Sequence, residues 1–283
     1  MNRGFLGKIQ KSIMYPTSEI INRQVISTNI NNKYNIYETG IETAEIVYSL
    51  RDVYNNNNAV IRVRRSSDNS EQDFTATEIT DGTLETFCVS QDGFATTWYD
   101  QSENDNHSTQ ASATNQPKVV SNGVLILDNE KPALDYNNNG NDYFSLNARI
   151  TNSQNVYIVA NAEINTGGNT QFLLGDSSNY AYHSAGSGNS ILGSEANSSV
   201  KNGQNYINSE LKNFLATSRP LQQTLYTLLH NSNNSAVSQI TRDRNISGRS
   251  WKGLIQEIII FNNDQSLSRS SIENNINTHY SIY

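Results

Sequence analysis

From about residue 60 to residue 262 the chain is a succession of short apolar or alternating runs, each closed by a cluster of Asn, Gly, Ser or Asp. The candidates are Val60 to Arg64, Phe94 to Tyr99, Lys118 to Val120, Val124 to Leu127, Ala133 to Tyr136, Val156 to Ala160, Gln171 to Leu174, Leu225 to His230 and Leu254 to Phe261. Runs this short bury an apolar face only when paired as strands, and the turn residues between them supply the reversals. With almost no long helical pattern in between, the spacing predicts an all-β sandwich. The stretch from Ser184 to Gly203 is rich in Ser, Gly and Asn and reads as a long loop, the kind of segment that more often carries function than the strands do.

Composition narrows the function classes. The 283 residues include 42 Asn and 34 Ser, while charged residues make up only 17%, so amides and hydroxyls supply the surface polarity. Fifteen Tyr, eight Phe and two Trp provide the large apolar side chains that disordered chains lack. No apolar run approaches the roughly 18 residues of a membrane span. The net charge of −7 argues against a nucleic-acid footprint, which shows as a clustered basic excess. Arg62, Arg64 and Arg65 alternate with Ile61 and Val63, so a strand with one face in water accounts for two of them. The single cysteine, Cys88, forms no internal disulfide and reads as a small buried hydrophobe.

The two ends differ from the middle. Phe5, Leu6, Ile9 and Ile13 form the stripe of a short amphipathic helix that ends before Tyr15 and Pro16. Arg3, Lys8 and Lys11 are basic, but the segment lacks the continuous apolar core and small-residue cleavage site of a signal peptide. Residues 1–40 either dock on another body or pack on their own domain; the expectation carried forward is a docking arm, anchored through Phe5, Leu6, Ile9 and Ile13, ahead of a sandwich over 41–283. Near the start of the sandwich, Ile46, Val47, Leu50, Val53 and Tyr54 share a helical face with Thr43 as N-cap. At the far end, Ile272, Ile276 and Tyr280 predict a covering helix, with Leu267 and Ile272 as a hydrophobic staple around Ser268 and with Ser270 and Glu273 as a capping box.

The most distinctive stretch runs from Thr97 to His107, Thr-Trp-Tyr-Asp-Gln-Ser-Glu-Asn-Asp-Asn-His. It resembles the W-Y-D-Q-S-G-N-G-N motif of concanavalin-like, laminin-G-like jelly-roll domains, which are common in bacteriophage virion proteins. The segments Ile61 to Phe74, Lys131 to Tyr136 and Trp251 to Ile260 resemble the same group, in the same order. Physically, Tyr99, Asp100, Gln101 and Ser102 read as a strand end entering a turn held by local side-chain bonds. The family has Gly where this chain has Glu103 and Asp105, so either the turn is reshaped or Asn104 and Asn106 take the left-handed positions.

The motif is also similar to part of the catalytic domain of fungal-type α-L-arabinofuranosidases. Such retaining glycosidases use two carboxyl groups about 5 Å apart. The resemblance implies a catalytic Glu just before the strand at Gln171 to Gly175, where this chain has Thr170 and Gln171; Asp176, beyond the strand, is the nearby carboxylate. It also implies an acid/base near Asp243, which lies between Arg242 and Arg244 and reads more simply as an ion pair. Glu257 matches a Glu that recurs in non-catalytic sandwiches, and the family's adjacent cysteine pair is missing.

Asp135, Asn137, Asn138, Asn139 and Asp142 are oxygen ligands suited to Ca²⁺, and an Asn-rich hairpin turn explains the same letters. His107, His183, His230 and His279 form no zinc motif. Tyr180, Tyr182 and His183 combine aromatic rings with nearby amides, as a pyranose face and its hydroxyls require, although Tyr180 and Tyr182 also share the parity of buried strand residues. The reading reached is a non-enzymatic virion structural or attachment protein: an all-β jelly-roll sandwich with short helices at its start, a covering C-terminal helix and an N-terminal arm. Its expected partners are other virion proteins, further copies of itself as a homo-oligomer and a host surface glycan, with no nucleic acid, no membrane span, no cofactor, no metal and no catalytic residues. The rival reading is a carbohydrate-active hydrolase of arabinofuranosidase type.

Overall fold

Antiparallel pairing builds two β leaves whose inner faces share one core. The computed structural model describes residues 40–136, 141–163, 171, 173–179, 181–184, 189–242 and 244–283. Residues 39–283 form one compact unit. The first leaf carries, in spatial order, Ile46–Ser49, Leu254–Phe261, Asn155–Ala162, Leu221–Leu229, Gln204–Ile207 and Glu210–Leu211. The second carries Leu174–Gly175, Ser235–Ile240, Phe144–Ser153, Ser108–Thr109, Gly93–Trp98, Ala59–Arg65 and Glu71–Thr75. Lys118–Ser121 and Leu134–Asp135 link them along one edge. The expected all-β sandwich with a covering C-terminal helix is the observed architecture.

The central strands of the first leaf are apolar on both sides. Val156, Ile158 and Ala160 point into the core between the leaves, with Ile258, Ile260, Tyr226 and Leu228 beside them. Tyr157, Val159, Leu225, Ile259 and Phe261 point the other way and meet Ile272, Ile276 and Tyr280 of the helix Arg269–Tyr280. That second layer explains why these strands read as nearly continuous apolar runs: a sheet covered on both faces has no polar side. Burying each of the three helix side chains contributes about 1.5–3 kcal/mol.

The helix expected from Thr43 is a strand instead. Ile46–Ser49 pairs with Leu254–Phe261 in the register Ile46 to Ile260 and Ser49 to Glu257. Ile46 and Tyr48 enter the inner core while Val47 joins the outer one, so pairing across the leaf overrides a local helical period. The short helices near the start of the sandwich are Ala76–Thr80 and Thr83–Cys88. The capping box is at Thr75 and Glu78, whose Oε2 accepts from Thr75 N at 2.8 Å, and not at Ser270 and Glu273. Leu267 is 87% exposed and forms no staple, and the Ser268 N-cap makes no side-chain bond. Among the described residues of the run from Gln171 onward, the strand is Leu174–Gly175. Cys88 is buried as expected, and burial pushes its thiol up to about 11. No helix among the described residues is long and apolar enough to cross a membrane. Phe5, Leu6, Ile9 and Ile13, together with Asn137 to Asn139, Tyr180 and Asp243, lie outside the described residues.

Candidate functional site

The Tyr99-to-Ser102 motif is a structural clamp. Asp100 Oδ1 accepts from Val47 N at 2.8 Å and Ser102 N at 3.0 Å, and Oδ2 accepts from Ser102 Oγ at 2.7 Å and Asn106 N at 3.0 Å. Gln101 Oε1 accepts from Val53 N at 2.9 Å, and its amide donates to the carbonyls of Ser49 and Arg51. The motif thus ties residues 47–53 to the sheet. Asp105, with φ of 53°, takes the left-handed conformation, while Asn104 and Asn106 do not. Asp is among the few non-glycine residues that visit this region readily, so the turn survives the replacement of Gly at this position.

The carboxylates singled out from the sequence are also held by structure. Glu257 is 1% exposed beneath the C-terminal helix, bonded to Ser49 Oγ at 2.7 Å and to both nitrogens of an Arg51 fork. Burial disfavours its charge, but the Arg51 cation and these bonds outweigh it and hold the carboxyl below its usual range. Asp176 is fully buried, paired with Arg149 at 2.7 Å and capped by the amides of Ser178 and Asn179. Neither has a face left for a substrate. Arg62 bridges Asp73 on the surface, Arg65 pairs with Asp68, and Arg64 is buried against Gln116 and Phe94, so the three arginines have intramolecular partners.

Of the glycan candidates, Tyr182 is 3% exposed, and its hydroxyl lies 2.8 Å from Ser153 Oγ. His183 is buried next to it in the chain, at the edge of a different cluster.

That cluster forms where residues 181–184 meet residues 189–197. Gln171 N donates to Ser184 Oγ at 2.8 Å and Ser184 N to the Gln171 carbonyl at 3.2 Å. Gly193 N donates to the His183 carbonyl at 2.7 Å, and Asn197 N to the Ala181 carbonyl. A Cβ at Gly193 would meet His183 Nδ1 and Glu195 Oε2, each at 3.1 Å, so a larger residue here would push against both side chains. His183 Nδ1 and Glu195 Oε2 are 4.0 Å apart, and the Glu195 side chain is 58% exposed. A hydrogen bond from Ser194 is the first of several influences holding the Glu195 carboxyl below its usual range, with His183 and Lys201 adding to it.

Arg219 completes the cluster from the other side. Its backbone and Nε both donate to the Asn189 carbonyl, at 2.7 and 3.3 Å, and its Nη1 donates to Gln171 Oε1. The guanidinium lies 5.3 Å above the Trp251 ring, whose Nε1 is fixed to the Asn161 carbonyl. Arg219 is 3% exposed, and its Nη2 has no acceptor. Burial lowers its pKa. Sequence reading flagged Gln171 and His183 but missed Glu195 and Arg219. The sequence signal at Arg219 was its place before Pro220, which reads as a turn.

No family model matches the chain, and no curated protein matches it. Solved structures do. A GH54 α-L-arabinofuranosidase soaked with a cyclic sulfate inhibitor superposes with a TM-score of 0.51 at 14% identity, covering 86% of this chain and 64% of that one. The likeness shows the fold. A Glu-to-Gln mutant of such an enzyme soaked with 4-nitrophenyl α-L-arabinofuranoside gives 0.48 at 16% identity. An arabinofuranosidase complexed with arabinofuranosyl-α-1,2-xylobiose gives 0.46 at 16%. The chain spans 64% of the length of each of these neighbours. The first of these likenesses corrects the expectation of a non-enzymatic chain as far as it rested on the fold: the same fold occurs in a GH54 α-L-arabinofuranosidase.

Proposed function

We propose that the chain is a carbohydrate-active hydrolase of arabinofuranosidase type, working at the cluster of Gln171, His183, Glu195 and Arg219. The observation that carries this reading is the Glu195 carboxylate. It is exposed, it lies 4.0 Å from His183 Nδ1 with Gly193 closely packed against both side chains, and it sits on the side of the sandwich that also holds Gln171. With its pKa held below the usual range the carboxylate is ionised at neutral pH, the form that a nucleophile requires. Where the resemblance implies a catalytic Glu this chain has Thr170 and Gln171, the Gln171 amide oxygen accepts from Arg219, and Glu195 is the carboxylate of the same cluster.

The purified chain should release 4-nitrophenol from an aryl α-L-arabinofuranoside or arabinose from a decorated xylan, and Glu195→Gln should abolish this. Activity that survives the substitution would overturn the assignment of Glu195.

A second proposal concerns setting. The apolar stripe Phe5, Leu6, Ile9 and Ile13 supports residues 1–40 as an arm that seats the sandwich in a larger particle, a virion among them.

A further inference from the structure

The first leaf ends on the strand Glu210–Leu211, which pairs on one side with Gln204–Ile207 and has no strand on its other side among the described residues. The hairpin joining the two is tight. Asn208 and Ser209 both hold positive φ, 52° and 66°, as a two-residue turn whose twist matches its strands requires. The register sets Ile207 against Glu210 and Tyr206 against Leu211, and Lys212 N donates to the Asn205 carbonyl at 2.8 Å. In an antiparallel ladder hydrogen-bonded pairs alternate with non-bonded ones, so Glu210 and Lys212 turn their backbone groups toward Gln204–Ile207 and Leu211 turns its N–H and C=O outward. The Leu211 side chain is 65% exposed as well.

Such an edge is a template for another strand, and proteins that keep an edge bare do so by shortening it and charging it, often with Lys. Charge of one sign repels a second copy. Here the two charges beside Leu211 have opposite signs: Glu210 precedes it and Lys212 follows it, both exposed and 2.8 Å apart. A second copy laid antiparallel and centred on Leu211 sets residue 210 of each chain opposite residue 212 of the other, so Glu faces Lys on both sides of the centre. The two Leu211 residues then form a hydrogen-bonded pair, each N–H donating to the other's carbonyl, and the flanking pairs are the kind in which side chains lie closest. The edge is complementary to itself, as a two-fold interface demands.

We propose that Glu210–Leu211 and Lys212 pair with the same residues of a second copy, antiparallel about a two-fold axis at Leu211, so that the first leaves of two chains continue as one sheet. Leu211 shares a face with Tyr206, whose ring lies 4.1 Å from the Arg269 guanidinium of the C-terminal helix. Pairing therefore brings the two exposed leucines together on the helix-bearing face and takes them out of water. The interface uses no residue of the Gln171, His183, Glu195 and Arg219 cluster, so it stands or falls apart from the hydrolase reading.

The test is sedimentation velocity of the full chain from about 1 μM to about 1 mM, the range in which a small interface associates. The expected result is a reversible monomer–dimer equilibrium. Glu210→Lys and Lys212→Glu each set like charges opposite one another in both flanking pairs, and each should raise the dimer Kd about tenfold or more. The two substitutions move the net charge in opposite directions, so weakening by both is not an effect of overall charge. Carrying both substitutions in one chain restores opposite charges and should restore the parent Kd, and an equimolar mixture of the two single variants should form a mixed dimer. Both positions are exposed, so the melting temperatures should stay at the parent value. A parent chain that remains monomeric throughout the range, a dimer whose Kd neither single variant changes, or a double variant that fails to regain dimerisation would overturn the proposal.

Discussion

Arg51 and Glu257 meet through two parallel contacts, Nε to Oε2 at 2.7 Å and Nη2 to Oε1 at 3.0 Å, beneath the C-terminal helix. Ser49 and Tyr280 bond the same carboxylate, and Asn275 accepts from Arg51, so one pair joins the first strand, the last strand and the helix. Removing one partner strands the other charge in a buried place. Glu257→Gln should therefore cost about 3–5 kcal/mol of stability, read as a shift of the urea midpoint. It should leave activity per folded molecule unchanged, which separates Glu257 from Glu195. A stable Glu257→Gln protein that had lost catalysis would contradict the structural role.

His230 sets a pH dependence. It is buried against Ser153 and Tyr182, and burial lowers its pKa to about 4 from an ordinary value near 6.5. His279 is likewise lowered to about 4, by burial and then by Arg51. A histidine with a depressed folded pKa binds its proton more readily when unfolded. Its contribution is present above about 6.5 and is lost as pH falls toward about 4. Urea midpoints should decline over that window, and His230→Gln should flatten the decline. A midpoint constant from pH 7 to pH 4 would contradict the assignment.

The turn after Trp98 offers a discriminating pair of substitutions. Asp105 holds φ at 53°, whereas Glu103 is not among the positive-φ residues. Asp105→Gly should raise stability by a few tenths to about 1 kcal/mol, and Glu103→Gly should not. Asp100→Ala removes an acceptor that serves four donors and should cost about 3 kcal/mol or more. Thermal melting of the three variants checks the set.

Much of the fold was legible because the central strands are covered on both faces. Val156 to Ala160 and Leu254 to Phe261 are apolar enough to be read with no structure at hand. Glu71–Thr75 was not legible: it lies at the end of its leaf, and only Phe74 is buried, so its letters look like a loop. Ile46–Ser49 was misread because Leu50, Val53 and Tyr54 complete a helical period whose competitor, Leu254–Phe261, lies some 200 residues away in the chain. The site was the least legible part. Glu195 sits in a Ser- and Gly-rich loop, and Arg219 acquires its character only from Trp251, Asn189 and Gln171, none of them near it in sequence. Spacing rules do not reach such a meeting.

The arm proposal has its own readout. A chain of residues 41–283 should melt cooperatively, since the inner and outer cores both lie within that range. It should also fail to enter the particle that the full chain enters. Incorporation unaffected by the deletion would contradict an anchoring role for Phe5, Leu6, Ile9 and Ile13.

Glu195 is proposed to work in glycoside hydrolysis. The most direct test is turnover of 4-nitrophenyl α-L-arabinofuranoside and of arabinose-bearing polysaccharides by the purified full chain, beside Glu195→Gln of unchanged melting temperature. The parent chain should release sugar, and the variant should lose at least about 100-fold, the scale set by removing a catalytic carboxylate. No release from any of these substrates, or equal release by both proteins, would contradict it.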